Sequence, residues 1–364
     1  MIHLIGNLIL AFALLQLFVA LMNFLFKERL PLTNASEELP SLSLLIPARN
    51  EEENIGHLLG DLINISDRIK EVIVCDDKST DNTASIVKEF AQRDVRIRLI
   101  AGNDLPDDWN GKSYACYQLA LEADSDYLLF LDADVRVGEG VINRSVKYMD
   151  RYRCSMLSVF PTQEMHSLGE KITVPNMQII LLSLLPLPLV RLAWFPSLSA
   201  ANGQFMMFRR DTYKELDPHR KFRKSRAEDI EISRYMKRKH KRVSCITGVK
   251  GIRCRMYHSM RDAVEGFSKN VIYFFGNSLS GAIIYWLVTT LGFVVLLADG
   301  RIEALLIWLA ATLLTRIFVS ITTVMRVLDN LLLFVPQQLM LGKFIVRSIL
   351  NSRNKTFRWK GRSI

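Results

Sequence analysis

An α/β domain with a mainly parallel sheet, helices on both of its faces and membrane-spanning helices on either side is the fold class this 364-residue sequence predicts. Three observations carry the expectation. Short apolar runs alternate with amphipathic stretches from residue 42 to residue 131, uncharged spans of membrane length sit near both ends, and pairs of carboxylates follow directly after the apolar runs. With 49% hydrophobic residues, 18 Gly and 11 Pro, the chain is too apolar for disorder and too poor in Gly and Pro for a collagen-like or linker-like chain.

Taken in order, residues 4–26 carry no charged side chain and are long enough to cross about 30 Å of hydrocarbon. No Lys or Arg precedes Lys27 to form a basic leader region, and no small-x-small cleavage site precedes Lys27-Glu28-Arg29, so residues 1–28 read as a retained anchor. A domain is expected over 38–270. Its first strand is 42–47, ended by Pro47, with an amphipathic stretch at 51–64. A buried strand at 72–75, a helix at 83–93, a strand at 96–101, a helix at 113–123 and a strand at 127–131 follow. In such sheets ligands bind at the carboxyl ends of the strands.

Residues 271–298 form a second uncharged span. The net acidic turn Asp299-Gly300-Arg301-Ile302-Glu303 follows, and 302–325 returns. Two shorter apolar stretches are interrupted by proline: 179–190 by Pro186 and Pro188, and 331–341 by Pro336. Both are expected to lie in the headgroup plane, as an interfacial segment at 174–196 and as the last part of a C-terminal helical unit at 271–342. An internal core helix is the alternative for the first. The tail 343–364 holds seven basic residues and no acidic one. This charge asymmetry places the middle domain and the tail in the cytoplasm of a multi-pass cell-membrane protein. Arg316, in mid-span, reads equally as a functional group or as one bonded to a carbonyl.

The net charge of +10 includes a basic run, Lys237-Arg238-Lys239-His240-Lys241-Arg242. It lacks interleaved aromatics or a DNA-binding motif, so an anionic leaflet is the expected partner and nucleic acid is not. The five cysteines, odd in number and without a CxxC pair, read as buried reduced thiols.

The chemistry gathers at strand ends. Asp76-Asp77-Lys78-Ser79-Thr80-Asp81-Asn82-Thr83 follows the second strand of the sheet and Asp132-Ala133-Asp134 the fourth. Carboxylates one residue apart at such a position can face a common hard cation, Mg²⁺ or Mn²⁺, that also holds a diphosphate. Glu228-Asp229 opens an amphipathic helix, where acidic residues also serve the helix dipole.

These motifs, with Pro47-Ala48-Arg49-Asn50-Glu51-Glu52-Glu53-Asn54-Ile55, resemble in order and spacing the family 2 glycosyltransferases of GT-A fold, over roughly 41–270. Trp109-Asn110-Gly111-Lys112, Ala201-Asn202-Gly203-Gln204, Gly266-Phe267-Ser268-Lys269-Asn270 and Trp359-Lys360-Gly361-Arg362 resemble a membrane-anchored subgroup of that family. The subgroup includes the glycosyltransferase of staphyloxanthin biosynthesis, which acts on a carotenoid acid. A clear Gln-x-x-Arg-Trp motif is absent, which disfavours polymer synthesis. The resemblance implies an inverting transfer of a hexose from a UDP-sugar to a membrane lipid. A polyprenyl phosphate acceptor and a non-catalytic scaffold remain as alternatives. It further implies that Pro47, Arg49, Glu51 and Asp77 line a nucleotide pocket and that Lys112 meets ribose or diphosphate oxygens. Asp134, assisted by Asp132, would hold Mg²⁺ or Mn²⁺, and Asp229, next to substrate-binding Glu228, would be the general base.

Overall fold

The computed structural model of the protein describes residues 1–33, 38–354, 358–359 and 362–363. An apolar helix, α1 (Ile2–Leu25), leads into a strand-helix series: β1 (Leu42–Ala48), α2 (Ile55–Asn64), β2 (Glu71–Asp76), α3 (Thr83–Arg93), β3 (Ile97–Ala101), α4 (Gly111–Glu122) and β4 (Tyr127–Leu131). The side chains of β1 alternate between two cores, as a strand buried on both faces requires. Leu44 and Ile46 pack with Ile55, Leu58, Leu59 and Leu62 of α2, whereas Leu45 packs with Ala115, Cys116 and Leu119 of α4. All five cysteines are buried and free.

The second half continues with β5 (Val135–Val137), α5 (Val141–Arg151), β6 (Met156–Gln163), α6 (Leu168–Thr173), α7 (Pro175–Leu184), α8 (Pro188–Leu192) and β7 (Phe205–Arg209). After these come α9 (Arg210–Leu216), α10 (Pro218–Lys221), α11 (Glu228–Arg238), β8 (Val243–Cys254) and α12 (Met260–Asn270). The strand order is β3-β2-β1-β4-β7-β6-β8-β5. Pairing is parallel from β3 to β4, but β7 runs antiparallel to both β4 and β6, and β5 antiparallel to β8. The sheet is therefore mixed, its parallel part confined to β3-β2-β1-β4 and the β6–β8 pair. This reversal has a direct consequence. Phe205 pairs with Leu131, so the loop entering β7 meets the loop leaving β4 at one edge.

Beyond α12 the chain forms a 3₁₀ turn, Val271–Phe275, and then α13 (Leu279–Ala298), α14 (Ile302–Thr323), α15 (Val327–Leu332) and α16 (Phe334–Asn354). A strand pair, β9 (Arg358–Trp359) and β10 (Arg362–Ser363), ends the described chain. Helices α1, α13 and α14 are long and apolar enough to cross a membrane. The second span is shorter than the expected 271–298. Gly276 and Asn277 take left-handed φ values of 66° and 64°, and Ser278 caps α13 by accepting a bond from the Gly281 N–H at 3.0 Å.

Within the segment 174–196, expected in the headgroup plane, the helix α7 is enclosed by protein, in line with the alternative of an internal core helix. Every residue of α7 from Pro175 to Ser183 is buried, and the helix packs on α1 and α14. A helix apolar on all sides is enclosed by protein, and this one is no exception. Asn23 of α1 fixes its end: Nδ2 donates to the carbonyls of Leu182 at 2.8 Å and Leu185 at 2.9 Å, and Oδ1 accepts from the Leu187 N–H at 2.7 Å. What remains exposed is the stretch after it, including Leu189, Leu192, Trp194 and Phe195.

Most of the second proline-broken stretch, 331–342, is continuous with the helix that follows it, α16. Pro336 falls in the first turn of α16, where no intrahelical N–H is required of it. Gln337, buried, donates to the carbonyl of Lys171 at 2.9 Å. Residues 343–354 of the basic tail belong to the same helix, and 355–357, 360–361 and 364 lie outside the described residues. Arg316 donates to the Asn330 carbonyl at 3.0 Å and to Gln337, and sits 4.4 Å from the Phe334 ring centre, holding α14 against the helices that follow.

Lys27 and a bulge join the helical unit to the sheet. Lys27 Nζ donates to the Thr322 carbonyl at the end of α14, at 2.7 Å, and to the Gly248 carbonyl of β8, at 3.2 Å. Gly248 has φ +66°, and a Cβ there would lie 2.1 Å from the Thr322 oxygen. Only glycine permits this approach.

Asn23→Leu strands three backbone groups of the α7–α8 turn in a buried setting. We expect a loss of about 2–4 kcal/mol, read as a lower thermal midpoint in detergent with early proteolysis near residues 185–187.

Candidate active site

The first two strand ends are tied together by the polar residues of their own loops. The Asn50 N–H donates to Ser79 Oγ at 3.0 Å, the Glu51 N–H to Thr83 Oγ1 at 2.8 Å, and the Thr80 N–H to Asn50 Oδ1 at 2.8 Å. Part of the Asp-Asp-x-Ser-x-Asp-x-Thr motif thus serves as a clasp on the loop that carries Arg49 and Glu51. Arg49 in turn donates to the backbone carbonyls of Asp77 and Lys78. Asp77 is buried, and the end of β3 presses against it: a Cβ on Gly102 would lie 3.2 Å from the Asp77 Cα.

The meeting of the β4 and β7 loops builds a cavity of about 280 Å³. Lys112, in the first turn of α4, reaches Asp132 at the end of β4, with Nζ 2.6 Å from Oδ1 and 2.7 Å from Oδ2. Glu228 and Asp229, at the start of α11, complete the polar wall. Asp229 is held from both sides, accepting the Gly203 N–H on Oδ2 at 3.0 Å and the Ile230 N–H on Oδ1 at 2.8 Å. Gly203 is the hinge of this arrangement: a Cβ on it would lie 3.2 Å from Lys112 Nζ and 3.9 Å from Asp229 Oδ2.

The electrostatics follow from crowding several carboxylates around one ammonium. Burial pulls the Lys112 pKa down, but Asp132 and Glu228 outweigh it and hold the ammonium above its ordinary range. Glu228 is pushed up to about 7 by burial first, against the pull of Lys112 and with the repulsion of Asp229. Burial also raises Asp229, offset in part by its two backbone N–H donors. The opposite wall is different in kind. Val174 and Met177 of α7, Phe267 of α12 and Phe274 of the 3₁₀ turn make it apolar, and Lys269 adds an ammonium whose pKa burial lowers.

Asp134 lies behind Asp132 and does not line the cavity. Burial is the first cause of its rise to about 7, with Asp132 and Glu51 adding repulsion. Its Oδ1 is buried without a hydrogen-bond partner. An ionisable oxygen in that state suits a cation, and the donor set is the hard one that Mg²⁺ or Mn²⁺ prefers. Asp132 differs from the expectation of a shared metal pair, since both its oxygens face Lys112. No group of three or more His, Cys, Asp or Glu side chains suited to a metal occurs among the described residues. Asp134, with Asp132 nearby, would be the residue to hold such an ion.

Of the residues singled out from sequence, Lys112, Asp132, Glu228 and Asp229 share one cavity. Pro47, Arg49, Glu51 and Asp77 occupy the neighbouring ends of β1 and β2, with Asp134 between the two groups. Sequence reasoning missed Cys254, which hydrogen-bonds Asp134 and accepts from Gln204 Nε2 at 2.8 Å. It also missed Gln163 and Gln178, both buried in the cavity wall, each with an Oε1 that has no partner among the described residues. No local signal marks them, because each reaches the site through strand pairing or helix packing.

A carboxyl whose folded-state pKa is raised favours folding only when protonated. Glu228 is therefore expected to lower stability as pH rises from its unfolded value, near 4.5, through about 7, by up to about 3 kcal/mol. Glu228→Gln should flatten that slope in thermal unfolding between pH 5 and 8; an unchanged slope would exclude Glu228 as its source.

Residues 43–217 match the model of "Glycosyl transferase family 2". The chain is 43% identical over 101 residues to the 4,4'-diaponeurosporenoate glycosyltransferase of Staphylococcus haemolyticus, covering 28% of this chain and 26% of that protein. Its Staphylococcus aureus counterpart is 42% identical over 95 residues, covering 26% and 24%. The chain thus spans about a quarter of the length of these curated relatives. A mannosyltransferase from Pyrobaculum calidifontis, solved with GDP-Man and Mn²⁺, is similar in fold with a TM-score of 0.54 and 15% identity, over 95% of this chain and 99% of that one. The chain therefore carries a glycosyltransferase family 2 domain of GT-A fold, joined at both ends to apolar helices long enough to cross a membrane.

Proposed function

We propose that the protein transfers a hexose, glucose by preference, from a UDP-sugar to a membrane lipid at the cytoplasmic face, with inversion at the anomeric carbon. One observation carries this reading: a single cavity joins an ionic wall, with Asp229 held by two backbone N–H groups, to an apolar wall supplied by helices that pack on the membrane-type bundle. The names of the staphylococcal relatives, which specify a carotenoid acid, support an acceptor of this amphiphilic kind.

Each residue then has a task that its surroundings suit. Asp77, Arg49, Glu51 and Pro47 at the first two strand ends receive the nucleoside. Lys112, kept cationic by Asp132 and Glu228, meets the diphosphate. Asp134, with Asp132 nearby, would hold Mg²⁺ or Mn²⁺, and such an ion neutralises charge on the departing diphosphate. Gln163 and Gln178 offer their unpartnered oxygens to sugar hydroxyls, which bring the donors those oxygens lack. Asp229 accepts the proton of the acceptor hydroxyl as that oxygen attacks. Its raised pKa makes it a stronger base than an ordinary carboxylate, and its two backbone donors fix its direction.

Lys269 supports a second form of the acceptor. An ammonium half-buried on the apolar side, whose attraction to Glu265 is outweighed by burial, suits an anionic head such as a carotenoid carboxylate or a polyprenyl phosphate. Such an oxygen is already deprotonated at neutral pH, and Asp229 would then position it.

The test is incorporation of sugar from UDP-glucose into a lipid extract, with products identified by mass; no transfer from any UDP-sugar would sink the proposal. Asp229→Asn is expected to slow transfer to a hydroxyl acceptor about 10²–10⁴-fold, with UDP affinity retained. The acid limb of the wild-type pH profile should lie above the ordinary carboxylate range, because the base must be ionised and its pKa is raised. With an acidic acceptor both effects should shrink.

A further inference from the structure

A second cavity, of about 160 Å³, adjoins the first and shares Phe160, Ala201, Ile230 and Phe274 with it. Ile180, Leu181, Leu184 and Leu185 at the end of α7 and Tyr273 make the apolar part of its wall, and Ser197, Ser199 and Arg234 add polar groups to it. Helix α7 therefore runs along both spaces, with Val174, Met177 and Gln178 in its first half facing the catalytic cavity and its last turn facing the second. The rings of Phe160 and Phe274 line both spaces. Outward, the second cavity reaches the part of the chain where large apolar side chains are uncovered. Leu184 is 36% exposed, Leu192 61%, Trp194 52% and Phe195 69%. Aromatic and leucine side chains grouped in this way next to membrane-type helices suit the boundary between headgroups and acyl chains.

We propose that this second cavity is the passage for the hydrocarbon chain of the acceptor, and that it selects acceptors with one long chain. The inference rests on the reading of the first cavity as the transfer site. A lipid whose reacting head lies against Asp229 must direct its tail away from the ionic wall. The shared Phe160 and Phe274 rings are apolar, and the second cavity leads to the exposed leucine and aromatic segment, so the tail need not cross water. The space is about 160 Å³, a volume that suits one hydrocarbon chain better than two. Against the apolar part of the wall, burial contributes about 0.8 kcal/mol for each methylene enclosed.

The experiment compares acceptors that share one head and differ in tail, a long polyisoprenoid chain, its short-chain analogue and a two-chain lipid, presented in mixed micelles to the full-length protein. For the wild type, kcat/KM is expected to be highest with the long single chain. Leu184→Trp, which narrows the passage, should lower the ratio of long-chain to short-chain kcat/KM by about tenfold. Tyr273→Ala, which widens it, should raise the relative rate with the two-chain lipid, and UDP binding serves as the check that each variant is folded. A chain-length preference that neither variant alters, with transfer intact, overturns the passage while leaving the transfer site standing. Failure of the wild type to glycosylate any of the three overturns the reading of the site itself and this inference with it.

Discussion

The ion pair between Lys112 and Asp132 is the contact on which the arrangement of the site depends. It joins the start of α4 to the end of β4, and around it the protein collects Glu228 and Asp229 from α11 and the close backbone of Gly203 from the loop before β7. A cluster with so few cations for its carboxylates is costly when buried, and the raised pKa values of Glu228, Asp229 and Asp134 are the signature of that cost. The excess negative charge that strains the protein alone is what a bound divalent cation would offset. Stability given up at these positions is consistent with groups kept for chemistry rather than for folding.

The helical unit is tied into this site at several points. Asn23 fixes the end of α7, and Lys27 caps α14 while touching the bulge of β8. Helix α12 and the 3₁₀ turn then carry Phe267, Lys269 and Phe274 to the cavity just before the chain enters α13. Consequently the apolar side of the cavity comes from the same elements that join the domain to the bundle.

How far the sequence makes this legible depends on the range of the interaction involved. The spacing of Asp132-Ala133-Asp134 after an apolar strand marks a strand-end carboxylate pair by itself, and Glu228-Asp229 at the head of an amphipathic helix is equally plain. Their different fates are not. Asp132 is drawn to Lys112, twenty residues away in sequence, whereas Asp134 is turned towards Cys254, which pairing of β5 with β8 brings alongside. Segment 174–196 was expected on the headgroup plane because its prolines and length resemble an interfacial helix. Within it α7 is buried, and its end is fixed by bonds to Asn23, more than 150 residues earlier in the chain.

By itself the sequence determined what short-range forces determine: the apolar helices, the β1–β4 alternation, and the acidic groups waiting at strand and helix ends. Hydrophobic periodicity and turn chemistry act over a few residues, so they can be read from the chain in order. Only the tertiary structure decided that β7 runs antiparallel beside β4, that the two loops close on one cavity, and that buried glutamine oxygens face it without partners. Those outcomes depend on which distant surfaces pack together, and the free energy of that choice is spread over the whole core rather than written at any one position.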